Sequence, residues 1–218
     1  MNSDLTHTND NNKRLYRDSL NGKWVLLRDR GAPSLKPFLE TMGVSDLAIE
    51  ANEKGDAEHD TIHDITLSST QYKIKKLSRV NDMVLTANLG EEQHIPLPGG
   101  GGVQTVMVTS QHLGHVRIES SLPTMNGLAK VTDVKTLVQE EVKQNDDTVM
   151  LSTTESTETT TTASAAAATT QSIYVQHLTI VNEATGQTNE TIRYFVPFEG
   201  EMEPTALTAG GNKKKNKD

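Results

Sequence analysis

The chain has 218 residues, of which 34% are hydrophobic and only 4% aromatic, and its formal net charge is −8. This length suits one ordinary domain, and the polar composition predicts that parts of the chain lie outside its core. The negative charge argues against a nucleic-acid partner, because such a partner requires a basic face. Cysteine is absent, which excludes disulfides and thiolate metal sites and suits a reducing compartment.

Three segments have a composition unsuited to a hydrophobic core. They are residues 1–18, rich in Asn and Asp, residues 152–171, almost entirely Ser, Thr and Ala, and residues 201–218, which end in a lysine cluster. Such segments bury too little apolar surface to offset the entropy of ordering. We therefore predict a disordered N-terminal segment, one domain over residues 19–200 that contains the low-complexity insertion, and a disordered basic tail. The sequence has no signal-like or membrane-spanning apolar run, so we expect a cytoplasmic protein.

The ordered region is predicted to begin with a strand followed by two helices. The strand is Gly22–Arg28, which contains the single tryptophan. Ser34 is the expected cap of the first helix and Gly43 its stop. A second short helix is predicted from Asp46 to about Asn52. The first helix is indicated by apolar residues at helical spacing, namely Leu35, Phe38, Leu39 and Met42.

Beyond residue 56 the sequence predicts only strands, because β-branched residues recur in short runs between turn residues. Glu141–Met150 is a candidate for an additional strand. Many short antiparallel strands in such a chain imply a barrel or a sandwich, and a barrel leaves no exposed edges. The predicted runs are Thr61–Leu67, Tyr72–Leu77, Met83–Asn88, Val103–Thr109, His115–Ser120, Ala129–Val138, Ile173–Val181 and Thr191–Phe198.

Four motifs occur in the order found in one known family. Gly22–Arg28 contains Gly-x-Trp, Phe38–Val44 ends in Gly-Val, Leu85–Glu92 leads into Gly-Glu-Glu, and Thr191–Phe195 contains Arg-x-aromatic. Over residues 20–198 the chain thus resembles the intracellular lipid-binding proteins of the calycin superfamily, which include fatty-acid-binding and cellular retinoid-binding proteins. The resemblance implies an all-β fold, a ten-stranded antiparallel up-and-down β-barrel with a helix-turn-helix lid after the first strand.

The resemblance also implies which residues bind the ligand. The family's Arg-x-Tyr on the last strand grips the ligand carboxylate; here Arg193 takes the arginine position and Phe195 the tyrosine position, which removes a hydroxyl. A guanidinium offers a carboxylate two parallel hydrogen bonds, whereas Lys135, which aligns with the family's second arginine, acts as a point charge. The alternatives are that Arg193 and Lys135 face solvent. The lid residues expected at the cavity mouth are Phe38, Leu39 and Met42.

These features predict reversible binding and intracellular carriage of a hydrophobic ligand, most simply a long-chain fatty acid, by a monomer without catalytic residues or cofactor. The lid offers a transient membrane contact. One alternative is a haem-binding or enzymatic lipocalin-like barrel, which requires a histidine in the cavity, with His115 and His177 as candidates. Another is an interaction module that has lost its cavity. A metal site is not expected, because a strand would hold His59 and His63 about 13 Å apart.

Overall fold

The computed structural model describes residues 18–77, 83–97, 101–124, 127–142 and 169–200. Within these residues, ten antiparallel strands form one sheet that is nearly closed into a barrel, which confirms the predicted fold class. The strands are β1 (Gly22–Gly31), β2 (Ile62–Leu67), β3 (Gln71–Leu77), β4 (Met83–Asn88), β5 (Glu92–Pro96), β6 (Val103–His112), β7 (His115–Thr124), β8 (Gly127–Val142), β9 (Thr169–Asn182) and β10 (Thr188–Pro197).

Two helices, α1 (Lys36–Met42) and α2 (Asp46–Glu58), connect β1 to β2 as predicted. Gly43 ends α1 with a φ of 79°, in the left-handed region that glycine adopts without strain. The prediction of Ser34 as the cap residue is wrong by one position, since Leu35 is the N-cap. The Ser34 hydroxyl still accepts a hydrogen bond from the Lys36 N–H at 3.0 Å. In the described residues, no helix is long and apolar enough to cross a membrane.

Helix α2 is longer than the sequence predicted, because it continues past Asn52 to Glu58. The extension includes Gly55, and a single glycine costs a helix only about 1 kcal/mol relative to alanine. Gly55 is buried within this extension. The extension brings Asp56 over the barrel interior.

The strand prediction missed one strand, the short β5. Of the candidate strand Glu141–Met150, Glu141 and Val142 belong to β8, and residues 143–150 lie outside the described part. Strand β9 begins at Thr169, so the expected insertion ends earlier than residue 171. Residues 1–17, 152–168 and 201–218, on which the predictions of disorder fall, lie outside the described residues.

The strand order is β4-β3-β2-β1-β10-β9-β8-β7-β6-β5, so every pair of consecutive strands except β4 and β5 is hydrogen-bonded, and β1 also pairs with β10. Within the described residues no ladder joins β4 to β5. An isolated bridge between Leu89 and Val108 and a hydrogen bond of 2.8 Å from the Gly90 N–H to the Val108 carbonyl link the sheet ends instead. The expectation of a barrel without edges is therefore wrong here, because β4 and β5 are the two edge strands of the sheet. The β5 edge is only five residues long, and a short edge strand exposes few unpaired backbone groups.

The interior consists of two apolar clusters. The larger one surrounds Trp24, which is fully buried and donates its indole N–H to the Leu20 carbonyl at 2.8 Å. The smaller one lies beneath α1 and is centred on Phe38, Leu178 and Ile180. Strand β9 runs through both clusters, with Tyr174 in the larger and Leu178 in the smaller. On the same face of β9, the residue between Tyr174 and Leu178 is polar. This polar position interrupts the apolar core and belongs to the candidate site.

Candidate functional site

A layer of polar side chains separates the two apolar clusters. Each member occupies an inward position of its strand, because side chains two residues apart point to the same face. All are buried except Lys76, whose side chain is 29% exposed. We call the following residues the polar layer: His63 on β2, Lys76 on β3, Asp133 and Lys135 on β8, Gln176 on β9 and Arg193 on β10.

Sheet register aligns three members of the polar layer. Lys135 pairs with Gln176 across β8 and β9, and Gln176 pairs with Arg193 across β9 and β10. Directly opposed residues of antiparallel strands hold their Cβ atoms about 5 Å apart. A cation, an amide and a second cation therefore stand side by side across the barrel wall.

Asp133 is the internal counter-ion of the polar layer. Its carboxylate accepts a hydrogen bond from the Lys135 ammonium and another, at 3.0 Å, from the Gln176 side-chain amide. The Lys76 ammonium lies 3.9 Å from the same oxygen. Burial alone would raise the pKa of Asp133, but the two lysines outweigh it and the pKa falls. Burial lowers the pKa of Lys135 to about 8, with Asp133 offsetting part of the effect.

Arg193 is the cation that the polar layer leaves without a close partner. It is 2% exposed, and its nearest carboxylate oxygen, on Asp56 of α2, lies 4.0 Å from Nη2. Its Nε and Nη2 atoms have no hydrogen-bond partner in the described part of the chain. Burial lowers the pKa of Arg193, but a guanidinium stays protonated in proteins. Two donors of a buried positive charge therefore remain unpaired.

Aromatic rings pack against the polar layer on the side of the larger apolar cluster. The rings of Phe195 and Tyr174 pair across β10 and β9 and stack with centroids 4.6 Å apart. His63 stacks on Phe195 at 4.4 Å, and its Nδ1 shares a hydrogen bond of 3.1 Å with the Tyr174 hydroxyl. Burial lowers the pKa of His63 well below its usual value, so this ring is neutral at neutral pH.

A cavity of about 290 Å³ lies above the polar layer and below the helices. Its apolar wall includes Leu35, Phe38 and Leu39 from the lid region and Leu178 from β9, and its polar wall includes members of the polar layer. The volume is close to the lower end of the usual range for ligand pockets, about 300–1,000 Å³. The arrangement combines an apolar compartment with a positively charged base.

The predicted site residues fall into two groups. Arg193, Phe38 and Leu39 line the cavity. Phe195 and Lys135 are buried beneath its lining, and Met42 packs in the smaller apolar cluster. The alternative of solvent-facing Arg193 and Lys135 is wrong, since the two residues are 2% and 0% exposed. Their roles in ligand binding remain predictions.

The candidates for the alternative functions lie elsewhere. The His177 side chain is 42% exposed and its Nε2 lies 2.7 Å from a Glu190 carboxylate oxygen, while His115 adjoins His112 at the start of β7. Neither histidine lines the cavity, whereas His63 does. The presence of the cavity speaks against an interaction module that has lost it. No group of three or more His, Asp or Glu among the described residues could hold a metal ion.

Sequence reasoning missed most of the polar layer. Asp133 shares the inward face with Lys135 by strand period, so this pair was within reach of the pattern. Lys76 continues the alternation of Tyr72 and Ile74, but as a charged residue near a strand end it resembled a solvent-facing lysine. The remaining missed residues, for which the sequence gives no signal, are His63, Gln176, Tyr174 and Asp56.

The nearly closed ten-stranded barrel with two helices after the first strand is the fold of the intracellular lipid-binding proteins, so the resemblance found in the sequence is confirmed for the fold. Lipid binding protein 8 of Caenorhabditis elegans has a TM-score of 0.50 and 13% identity, covering 84% of this chain and 99% of its own.

Two further structures are similar at lower scores. A fatty-acid-binding protein in brain tissue of Drosophila melanogaster has a TM-score of 0.49 and 14% identity, covering 82% of this chain and 99% of its own. Human cRBP IV has a TM-score of 0.48 and 11% identity, covering 83% of this chain and 98% of its own. No protein-family model and no curated protein sequence matches the chain.

Proposed function

We propose that this barrel is a non-enzymatic, monomeric carrier that binds a long-chain fatty acid reversibly in its cavity, with the carboxylate at Arg193. The observation that carries the proposal is the buried guanidinium of Arg193, whose Nε and Nη2 lack hydrogen-bond partners beside an apolar cavity. An unpaired buried charge is costly, so an interior arginine favours an anionic ligand. The fold shared with lipid binding protein 8 supports binding over catalysis.

The charge balance of the interior supports an anion in particular. Three basic side chains, Arg193, Lys76 and Lys135, face two acidic ones, Asp133 and Asp56. Asp133 is shared by the two lysines, and Asp56 stands beyond hydrogen-bond distance from Arg193. One carboxylate brought by a ligand neutralises the remaining positive charge.

The apolar wall supplies most of the binding free energy. Each buried CH₂ contributes about 0.8 kcal/mol, so a 16-carbon tail offers roughly 12 kcal/mol before association costs are subtracted. A hydrogen bond to a charged group adds about 1.5–3 kcal/mol. Arg193 therefore selects the head group, while the lid and barrel wall provide affinity for the chain. Carriage in the cytoplasm, with transient membrane contact through the lid, is part of the same proposal.

The test is the Arg193→Gln variant, titrated with hexadecanoic acid and with hexadecanol. Loss of the charged pair should weaken binding of the acid by about tenfold or more, which corresponds to 1.4 kcal/mol, while binding of the alcohol changes little. Arg117→Gln serves as the matched control, since Arg117 is exposed and pairs with Glu119 on the same strand. If acid and alcohol respond alike, Arg193 does not select the head group.

A further inference from the structure

Two buried acceptor atoms beside Arg193 also lack hydrogen-bond partners. They are Oε1 of Gln176 and Oδ1 of Asp133, in residues that are 1% and 5% exposed. Both residues line the cavity together with Arg193. Unpaired donors and unpaired acceptors therefore belong to neighbouring residues at the base of the cavity.

A simple carboxylate satisfies only half of this arrangement. An ionised carboxylate accepts hydrogen bonds but cannot donate them, so it can meet Arg193 and leaves Gln176 Oε1 and Asp133 Oδ1 unpaired. A buried acceptor without a donor costs about 1–3 kcal/mol. A ligand head group that also carries one donor satisfies one of these two acceptors and removes that part of the cost.

Strand register limits where that donor must be on the ligand. Gln176 stands directly opposite Arg193, so the acceptor and the guanidinium arise from positions about 5 Å apart across the strands. Asp133 lies within reach of the Gln176 amide, which donates to it at 3.0 Å. Because the two side chains are neighbours that line the same part of the cavity, the donor is expected on a carbon close to the carboxylate and not in the middle of the chain.

We propose that the preferred ligand is a hydroxy fatty acid with its hydroxyl on carbon 2 or 3, bound with the carboxylate at Arg193 and the hydroxyl donating to Gln176 Oε1. The inference rests on the proposed fatty-acid function and specifies its substrate class. Asp133 Oδ1 is the second acceptor at the same place.

The first test changes the ligand and leaves the protein intact. The wild-type chain is titrated with hexadecanoic, 2-hydroxyhexadecanoic, 3-hydroxyhexadecanoic and 2-methoxyhexadecanoic acid. At least one hydroxy acid should bind about fivefold or more tightly than hexadecanoic acid, the effect of one buried hydrogen bond. The methoxy acid keeps the oxygen but lacks the donor, so it should show no gain. Equal affinities for all four acids would overturn the inference.

The second test removes the acceptor. Gln176→Leu should abolish the preference for the hydroxy acid, and Gln71→Leu, at an exposed position of β3, should preserve it. The ratio of the two affinities is compared within each variant, so a general effect of losing the Gln176–Asp133 hydrogen bond cancels. A preference that persists in Gln176→Leu contradicts the assignment.

The outcomes separate this inference from the proposed function. If hexadecanoic acid binds through Arg193 and the hydroxy acids show no advantage, the fatty-acid function stands and the hydroxy-acid preference falls. If none of the acids binds, both fall together. Because the ligand series uses the unmodified protein, it decides the matter even if Gln176→Leu does not fold.

Discussion

Replacing Asp133 by asparagine removes the counter-ion of two lysines while preserving the shape of the side chain. Lys135 is 0% exposed and its ammonium bonds directly to Asp133, with Lys76 at 3.9 Å from the same oxygen. Breaking a buried ion pair by removing one partner costs about 3–5 kcal/mol. For a domain of this size each kcal/mol lowers Tm by about 2–4 °C, so Asp133→Asn should lower Tm by about 6–20 °C.

The measurement is thermal unfolding at pH 7, followed by fluorescence of Trp24. Glu119→Gln is the matched control, because Glu119 pairs with Arg117 at a half-exposed surface site where such pairs contribute about 0–1 kcal/mol. Adding Lys135→Met to Asp133→Asn should restore much of the loss, since the unpaired charge is then gone. A loss for Asp133→Asn no larger than that of Glu119→Gln would refute the counter-ion role.

Two further predictions concern pH and motion. Because the pKa of Lys135 is about 8 when folded and 10.5 is its ordinary value, the unfolded chain binds more protons between these limits. Lys135 should therefore increase the free energy of unfolding as pH rises above about 8. Urea titrations of Lys135→Met across that range should lack this increase. A pH profile of stability identical to that of the wild-type chain would contradict the prediction. Amides of α1 and α2 should exchange with deuterium faster than those of β8 and β9, because a lid opens to admit ligand; equal protection by mass spectrometry argues against a lid.

The fold was predictable because its signals are local. The Gly-x-Trp of β1, the helical spacing around Phe38 and the stop at Gly43 each lie within a few residues. Strand β5 escaped detection because its five residues, Glu92–Pro96, are mostly polar and end in proline. The end of α2 was misjudged because the helix continues through Gly55, whose low propensity costs only about 1 kcal/mol relative to alanine.

Residues of the site were predictable only where they belong to a recognisable sequence motif. Arg193 was found through the Arg-x-aromatic pattern, and the inward face of β10 follows from strand period. Gln176 joins Lys135 and Arg193 only through the pairing of β8, β9 and β10, and no single segment encodes that register. Asp56 comes close to Arg193 because α2 runs past its predicted end, so one misplaced helix boundary concealed the contact.

Because β1 pairs with β10, the first strand of the sheet cannot complete its pairing until β10 has been synthesised. Trp24 emerges from the ribosome early, yet its partner across the strands, Pro197, is among the last described residues to appear. Lys135 and its counter-ion Asp133 on β8 and Arg193 on β10 are also made late, so the early half of the sheet must remain open until then. Closure between distant segments is intrinsically slow, and an open sheet offers unpaired strands to other chains. A chain that ended before β10 would therefore leave one side of β1 without its partner strand, and such an open edge favours aggregation.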